Sequence, residues 1–158
     1  MGSGNFLENL QRQKLLCSTP TLFLPIRFPY MVVEAKSYNT SKPIFVSQNQ
    51  ASVSGSCMTN LQHKLADLTR SASPRYSGYE APYAFSICTE GPYFELWVHY
   101  TTMCDELRDS KLNIVATCHM SLLPGVVEFL VKLDCIMSWA ADTFVDKMAE
   151  QLTLLLSK

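Results

Sequence analysis

An α/β domain, with a mixed sheet flanked by helices, is the fold class this sequence predicts, and three observations predict it. An apolar strand-like run, Pro29–Lys36 "PYMVVEAK", is followed after a polar turn by a long segment with apolar residues at steps of three and four. Two alternating runs, at 83–89 and 93–101, flank a Glu-Gly-Pro turn. The tail from Gly125 to Leu156 returns to helical periodicity. Strands and helices interleaved along one chain imply a sheet covered by helices.

Taken in order, Asn5 to Leu16 is compatible with a helix whose partial apolar stripe is Phe6, Leu7, Leu10 and Leu15, and it carries Glu8. Residues 18–30 contain Pro20, Pro25 and Pro29. Each withholds a ladder donor, so "TLFLPIRFP" is at best an irregular or edge strand. Pro29–Lys36 then reads as a buried strand, and Ser37–Pro43, "SYNTSKP", as a polar turn.

A helix is expected over Ile44–Thr69. Its apolar positions are Val46, Val53, Cys57, Leu61, Leu65 and Leu68, and the gap in that series is filled by Gln50. This places an amide on the expected buried stripe. Buried amides need partners, and the polar end of the preceding strand, where Glu34 and Lys36 stand, offers them; the alternative is a Gln bonded to a loop carbonyl or exposed in a frayed first turn. Gly55, with Ser52, Ser54 and Ser56 around it, lowers helix propensity but permits close packing on the sheet.

Arg70–Ala81 reads as a solvated loop, although Arg70, Arg75, Tyr76 and Tyr79 also suit contact with a phosphodiester backbone. The two alternating runs form a hairpin across Glu90-Gly91-Pro92, and Leu112–His119 supplies a further strand. The terminal helix comes in two pieces or bends near Met137-Ser138, with Trp139 as an apolar anchor.

A chain of 158 residues, 47% of them hydrophobic, suffices for one domain with a sizeable core. Met1–Gly4 reads as an expression remnant and residues 5–158 as a single domain. Thirteen basic and fourteen acidic residues leave a formal charge of −1, so no polycationic surface announces nucleic acid or an anionic membrane. No run approaches the roughly 18 apolar residues of a membrane span, and no membrane partner is expected.

Cys17, Cys57, Cys88, Cys104, Cys118 and Cys135 show no C-x-x-C spacing, which argues against zinc. They read as reduced, mostly buried small hydrophobes of an intracellular protein, cytoplasmic or nuclear, rather than a secreted one. His63, His99 and His119 are scattered, and Ser or Cys nucleophile motifs are absent, so a triad hydrolase is not expected.

Chemistry is concentrated at the end of "PYMVVEAK". Alternation puts Val32, Glu34 and Lys36 on one strand face and Met31, Val33 and Ala35 on the other. The pair is either an ordinary same-face ion pair or a hydrolytic site. In the second reading Glu34 is a ligand for a hard divalent cation, and Lys36 positions or activates the attacking water.

The run "PYMVVEAKS", the polar turn, "VSQNQASVSGSCM", the central hairpin and "CIMSWAADTFVDKMAEQL" together resemble a fungal domain of unknown function. That domain is similar to the restriction-endonuclease-like, PD-(D/E)XK, nuclease superfamily. The resemblance covers roughly residues 29–155, and its most specific parts are Val33–Lys36 and Asn49-Gln50. It implies a restriction-endonuclease-like mixed sheet flanked by helices. It further implies Glu34 as a Mg²⁺ ligand (Mn²⁺ substituting), Lys36 acting on water or the scissile phosphate, and Gln50 orienting Lys36 or the nucleophile.

The superfamily's acidic residue on the preceding strand is missing, because no Asp or Glu lies between Glu8 and Glu34. Glu8 is the only acidic residue N-terminal to Glu34 and hence the candidate second metal ligand. The expected function is a divergent module with reduced or lost catalysis that binds a protein or nucleic acid, in a regulatory or effector role. The alternative is a Mg²⁺-dependent nuclease acting on DNA or RNA. A homodimer is compatible with either.

Overall fold

A computed structural model describes residues 28–37, 43–76, 81–104 and 107–157. Strand β1 (Met31–Lys36) is followed by helix α1 (Ile44–Ala72), strands β2 (Ala84–Glu90), β3 (Tyr93–Cys104) and β4 (Leu107–His119), and helix α2 (Leu123–Trp139). A π-helical turn (Ala140–Phe144) then leads into helix α3 (Val145–Leu156). The expected helix over Asn5–Leu16 with Glu8, most of the 18–30 run, Cys17, the centre of the polar turn and Tyr79 lie outside the described residues.

The sheet is mixed, in the order β1-β2-β3-β4. Strand β1 is parallel to β2, with Glu34 opposite Cys88 and Lys36 opposite Glu90. A parallel pair needs a crossover, which α1 supplies. The remaining pairs are antiparallel. Gly91 turns the β2–β3 hairpin at φ 55, ahead of Pro92 with its fixed negative φ, the φ pattern of a type II′ turn. Between β3 and β4 the register shifts at Leu96/Trp97, leaving Val115 as the extra residue of a bulge.

Helices lie on both faces. One face carries Phe85, Ile87, Phe94 and Leu96, which join Ala116, Cys118, Phe129 and Ile136 in the larger core under α2. Beyond it the π-helical turn inserts an extra residue, and Ala140, Phe144 and Met148 bury together against Leu65 of α1. The turn falls just past the bend expected at Met137-Ser138. Trp139 anchors this region as expected, with Phe144 at 5.5 Å, Phe85 at 5.6 Å and Tyr30 at 6.4 Å between ring centroids.

The opposite sheet face is covered by α1 and is far more polar. Ser47, Ala51, Gly55, Met58, Thr59, Gln62, His63, Ala66 and Thr69 are buried there, while Val53 is 66% exposed and Gln50 and Cys57 are exposed. The expected stripe of Val46, Gln50, Val53 and Cys57 is thus corrected. In its N-terminal half the helix is turned by about one residue, roughly 100°. Close approach is the reason. A β-carbon on Gly55 would clash with Nδ1, Cγ and Cε1 of the His99 ring, so backbone meets side chain where a larger residue would hold the helix away. His99 Nε2 lies 2.8 Å from Ser86 Oγ, and His63 Nε2 lies 2.6 Å from Thr101 Oγ1.

Other boundaries shift for simple reasons. Strand β1 is half-buried rather than buried, with Val33 58% exposed, because among the described residues it is an edge strand. Strand β4 starts at Leu107 rather than Leu112, since residues 107–111 pair with β3 in a ribbon exposed on both faces, where alternation is not demanded. Helix α1 runs into the expected loop as far as Ala72. Of the five described cysteines, all free, Cys88 and Cys118 are buried and Cys57, Cys104 and Cys135 are exposed, which corrects the expectation that they are mostly core. Among the described residues no helix is long and apolar enough to cross a membrane.

Two predictions test this interface. Gly55→Ala should lower unfolding free energy by about 1–3 kcal/mol, read from urea denaturation, because a buried ring must shift off its hydrogen bond. Burial, reinforced by the positive charge of Arg108, lowers the His63 pKa from 6.5 to about 4, and burial also lowers that of His99. Both rings are therefore neutral in the folded protein while the unfolded chain takes up protons. The contribution of His63 is complete above pH 6.5 and is lost as pH falls through 6.5 toward 4, and that of His99 is lost in the same direction. The melting temperature should drop more steeply across that window in the wild type than in His63→Gln.

Candidate functional site

Strand alternation and the position of α1 bring Glu34, Cys88 and Glu95 into one row across β1, β2 and β3, on the face beneath α1. Each carboxylate meets the helix differently. Glu34 Oε1 accepts a 3.3 Å hydrogen bond from Ser54 Oγ. Glu95 Oε2 accepts two, from Gln48 Nε2 at 2.8 Å and Trp97 Nε1 at 2.9 Å. Between them the Cys88 thiol is pushed up to about 11, first by burial and then by the charges of Glu95 and Glu34. A thiol held protonated this far above neutrality carries little thiolate with which to act as a nucleophile.

Glu90 closes the same face at the hairpin. Its Oε2 accepts the Ile44 N–H at 2.7 Å. The residue before α1 is Pro43, which has no side-chain oxygen to cap the helix. A carboxylate from β2 therefore does the capping and places negative charge at the positive end of the helix.

Of the sequence-derived site residues, Glu34 and Gln50 come together. They line an open cleft of about 480 Å³ with Val46, Asn49, Val53 and Ser54. Lys36 shares the strand face of Glu34, stands in register with Glu90, and does not line the cleft. Among the described residues Glu34 and Lys36 form no ion pair, so the same-face ion-pair reading is not met. Gln50 is exposed on the cleft wall rather than buried. The helix amide that reaches a strand carboxylate is Gln48, bonded to Glu95. The legible signal for it was "ELW", where Glu95 and Trp97 share a face just as Glu34 and Lys36 do. Glu8 lies outside the described residues.

A second cleft, of about 650 Å³, lies beside the start of α1 and is walled by Ile44, Tyr93, Phe94, Leu122 and Pro124, with Glu90, Glu95 and His119 on its polar side. The two clefts thus flank the N-terminal half of α1.

Magnesium takes near-octahedral oxygen ligation, usually from one or two carboxylates plus substrate oxygens. The Glu34 cleft offers one carboxylate, already accepting a bond from Ser54, and the neutral amides of Asn49 and Gln50. Among the described residues no three His, Cys, Asp or Glu side chains gather as a metal group. This donor set does not fit a two-carboxylate magnesium centre. It fits a surface that donates and accepts hydrogen bonds. Comparison with protein-family models, curated proteins and solved structures finds no match for this chain.

Proposed function

We propose that the domain is a divergent PD-(D/E)XK-like binding module with reduced or lost catalysis, and that the cleft between β1 and α1 takes a protein partner. One observation carries the reading: among the described residues Glu34 is the only carboxylate lining that cleft, and its polar neighbours are Asn49, Gln50 and Ser54. Amides and a hydroxyl beside one carboxylate can pair with peptide N–H and C=O groups. They supply neither a second anionic metal ligand nor a base matched to an acid.

A protein is favoured over nucleic acid by the charge balance. A net charge of −1, from thirteen basic and fourteen acidic residues, offers little overall attraction for a phosphate backbone, which dominates nucleic-acid affinity. Four of the described cations are also held by carboxylates, Arg70 and Arg108 by Asp67, Lys111 by Asp109 and Lys132 by Glu128.

A second reading, a Mg²⁺-dependent nuclease on DNA or RNA, draws support from Glu34 and Gln50 sharing one cleft. It requires Glu8 to supply the second carboxylate, with Lys36 acting on water or phosphate.

Calorimetric titration of Mg²⁺ and Mn²⁺ should show no binding that Glu34→Ala or Glu8→Ala removes, and neither ion should support cleavage of single- or double-stranded DNA or RNA. Metal binding abolished in both variants, accompanied by cleavage in the wild type, would establish the nuclease instead. For a protein partner identified by affinity capture, Asn49→Ala/Gln50→Ala should weaken binding about tenfold or more with unchanged thermal unfolding, since leaving a buried polar group of the partner without its hydrogen bond costs about 1–3 kcal/mol.

A further inference from the structure

Among the described residues strand β1 ends the sheet, and no strand lies beside its outer edge. The Phe85 N–H donates to the Tyr30 carbonyl at 2.8 Å, which fixes the phase of the parallel ladder. Val32, Glu34 and Lys36 therefore turn their backbone groups toward β2, and Met31, Val33 and Ala35 turn theirs outward. Among the described residues these outward groups are not hydrogen-bonded. Val33 and Ala35 are exposed. An edge of this kind is a template for another strand.

Two observations identify that strand. First, the charges on this edge complement themselves. Glu34 and Lys36 are half-buried on the face beneath α1, and Lys36 has no ion-pair partner among the described residues. When a second β1 lies antiparallel across a two-fold axis at Ala35, Glu34 stands opposite the partner's Lys36, and Lys36 opposite the partner's Glu34. The backbone phase agrees. Ala35 and the partner's Ala35 face each other with their outward groups and form a hydrogen-bonded pair, which makes the charged pairs the non-hydrogen-bonded kind, whose side chains lie closer. Moving the axis to Glu34 or to Lys36 would set like charges opposite each other. Second, the flank of α1 above β1 is uncovered. Val53 is 66% exposed, Asn49 and Gln50 are exposed, and Val46 is half-buried. Helix α1 lies chiefly over β1 and β2, and paired strands are about 4.8 Å apart, so the axis brings the two copies of α1 to about 10–14 Å from each other. A helix with its side chains is about that wide.

We infer that two copies of this chain dimerise through antiparallel pairing of β1 with the partner's β1, which continues one sheet across both protomers and sets Glu34 and Lys36 in ion pairs across the axis. The inference rests on the reading of the Glu34 cleft as a protein-binding surface, and it names the occupant as a second copy of this chain. The partner contributes a residue to that surface, since the partner's Lys36 stands beside Glu34. The cleft walls formed by Val46, Asn49, Gln50 and Val53 then face their counterparts, and the valines bury against each other while the amides bond across the axis.

Sedimentation equilibrium on the full chain reads the pairing. The wild type should be a dimer. Glu34→Lys should weaken dimerisation about tenfold or more, because it faces ammonium with ammonium twice across the axis, and Lys36→Glu should do the same with carboxylates. The exchange Glu34→Lys/Lys36→Glu should restore the dimer. Ala35→Pro should give a monomer, since it removes an outward N–H and leaves the bonds of β1 to β2 in place. Circular dichroism, which reports the fold, should match the wild type in all four variants. A wild-type monomer would overturn the inference while leaving the protein-binding reading of the cleft to the capture experiment above. So would a dimer that withstands both Ala35→Pro and the single charge reversals, which places the contact elsewhere, or one that the reversals weaken and the exchange does not restore.

Discussion

The close seating of α1 on the sheet, at Gly55 over His99, is the constraint on which the rest of this face depends. A helix touching a sheet through ordinary side chains is held off by the length of those side chains. Here the missing side chain of Gly55 is occupied by an imidazole that is itself bonded to Ser86. The contact fixes both the height of α1 and its rotation. Once that rotation is set, Ser47, Ala51, Met58 and Gln62 must face inward, and Gln50 and Val53 must face out.

From that rotation follows the distribution of the carboxylates. Glu34, Glu90 and Glu95 all rise from the sheet toward α1, and each finds a helix donor: Ser54, the Ile44 N–H and Gln48. Partial burial of an anion is unfavourable unless it is hydrogen-bonded, so these contacts serve the fold before they serve any ligand. They also keep the acids apart. Glu95 stands on the far side of the Cys88 strand from Glu34 and lines a different cleft. Three carboxylates on one sheet face thereby form three separate contacts and no shared metal centre.

The two faces of the sheet are held by different physics. Beneath α2, large apolar side chains interlock and the cost of an error is a cavity. Beneath α1, small residues and polar pairs meet, and the cost of an error is a clash or an unpaired group. The pair of neutral buried histidines, His63 and His99, belongs to the second kind, and it ties the hold of α1 on β3 to pH. The cleft with Glu34 lies along the same helix.

Period-two alternation by itself determined that Glu34 and Lys36 share a face, since strand geometry leaves no other choice, and the element order was equally legible in the spacing of Leu61, Leu65 and Leu68, in Gly91-Pro92 and in Trp139. The missing acid between Glu8 and Glu34 was visible there too. Which face of α1 is buried was not. Hydrophobicity favours Val46, Val53 and Cys57, and that ranking holds where a helix packs through large side chains, as it does near Leu61 and Leu65. Nearer the start of the helix, size outweighs hydrophobicity, because Ser47, Ala51 and Gly55 admit the backbone to the sheet and valines do not. Only the tertiary structure decided that Gln48 meets Glu95 and that Gln50 opens onto the cleft beside Glu34. A rotation of one residue about a helix axis is set by what lies beneath it, and His99 lies more than forty residues away in the chain.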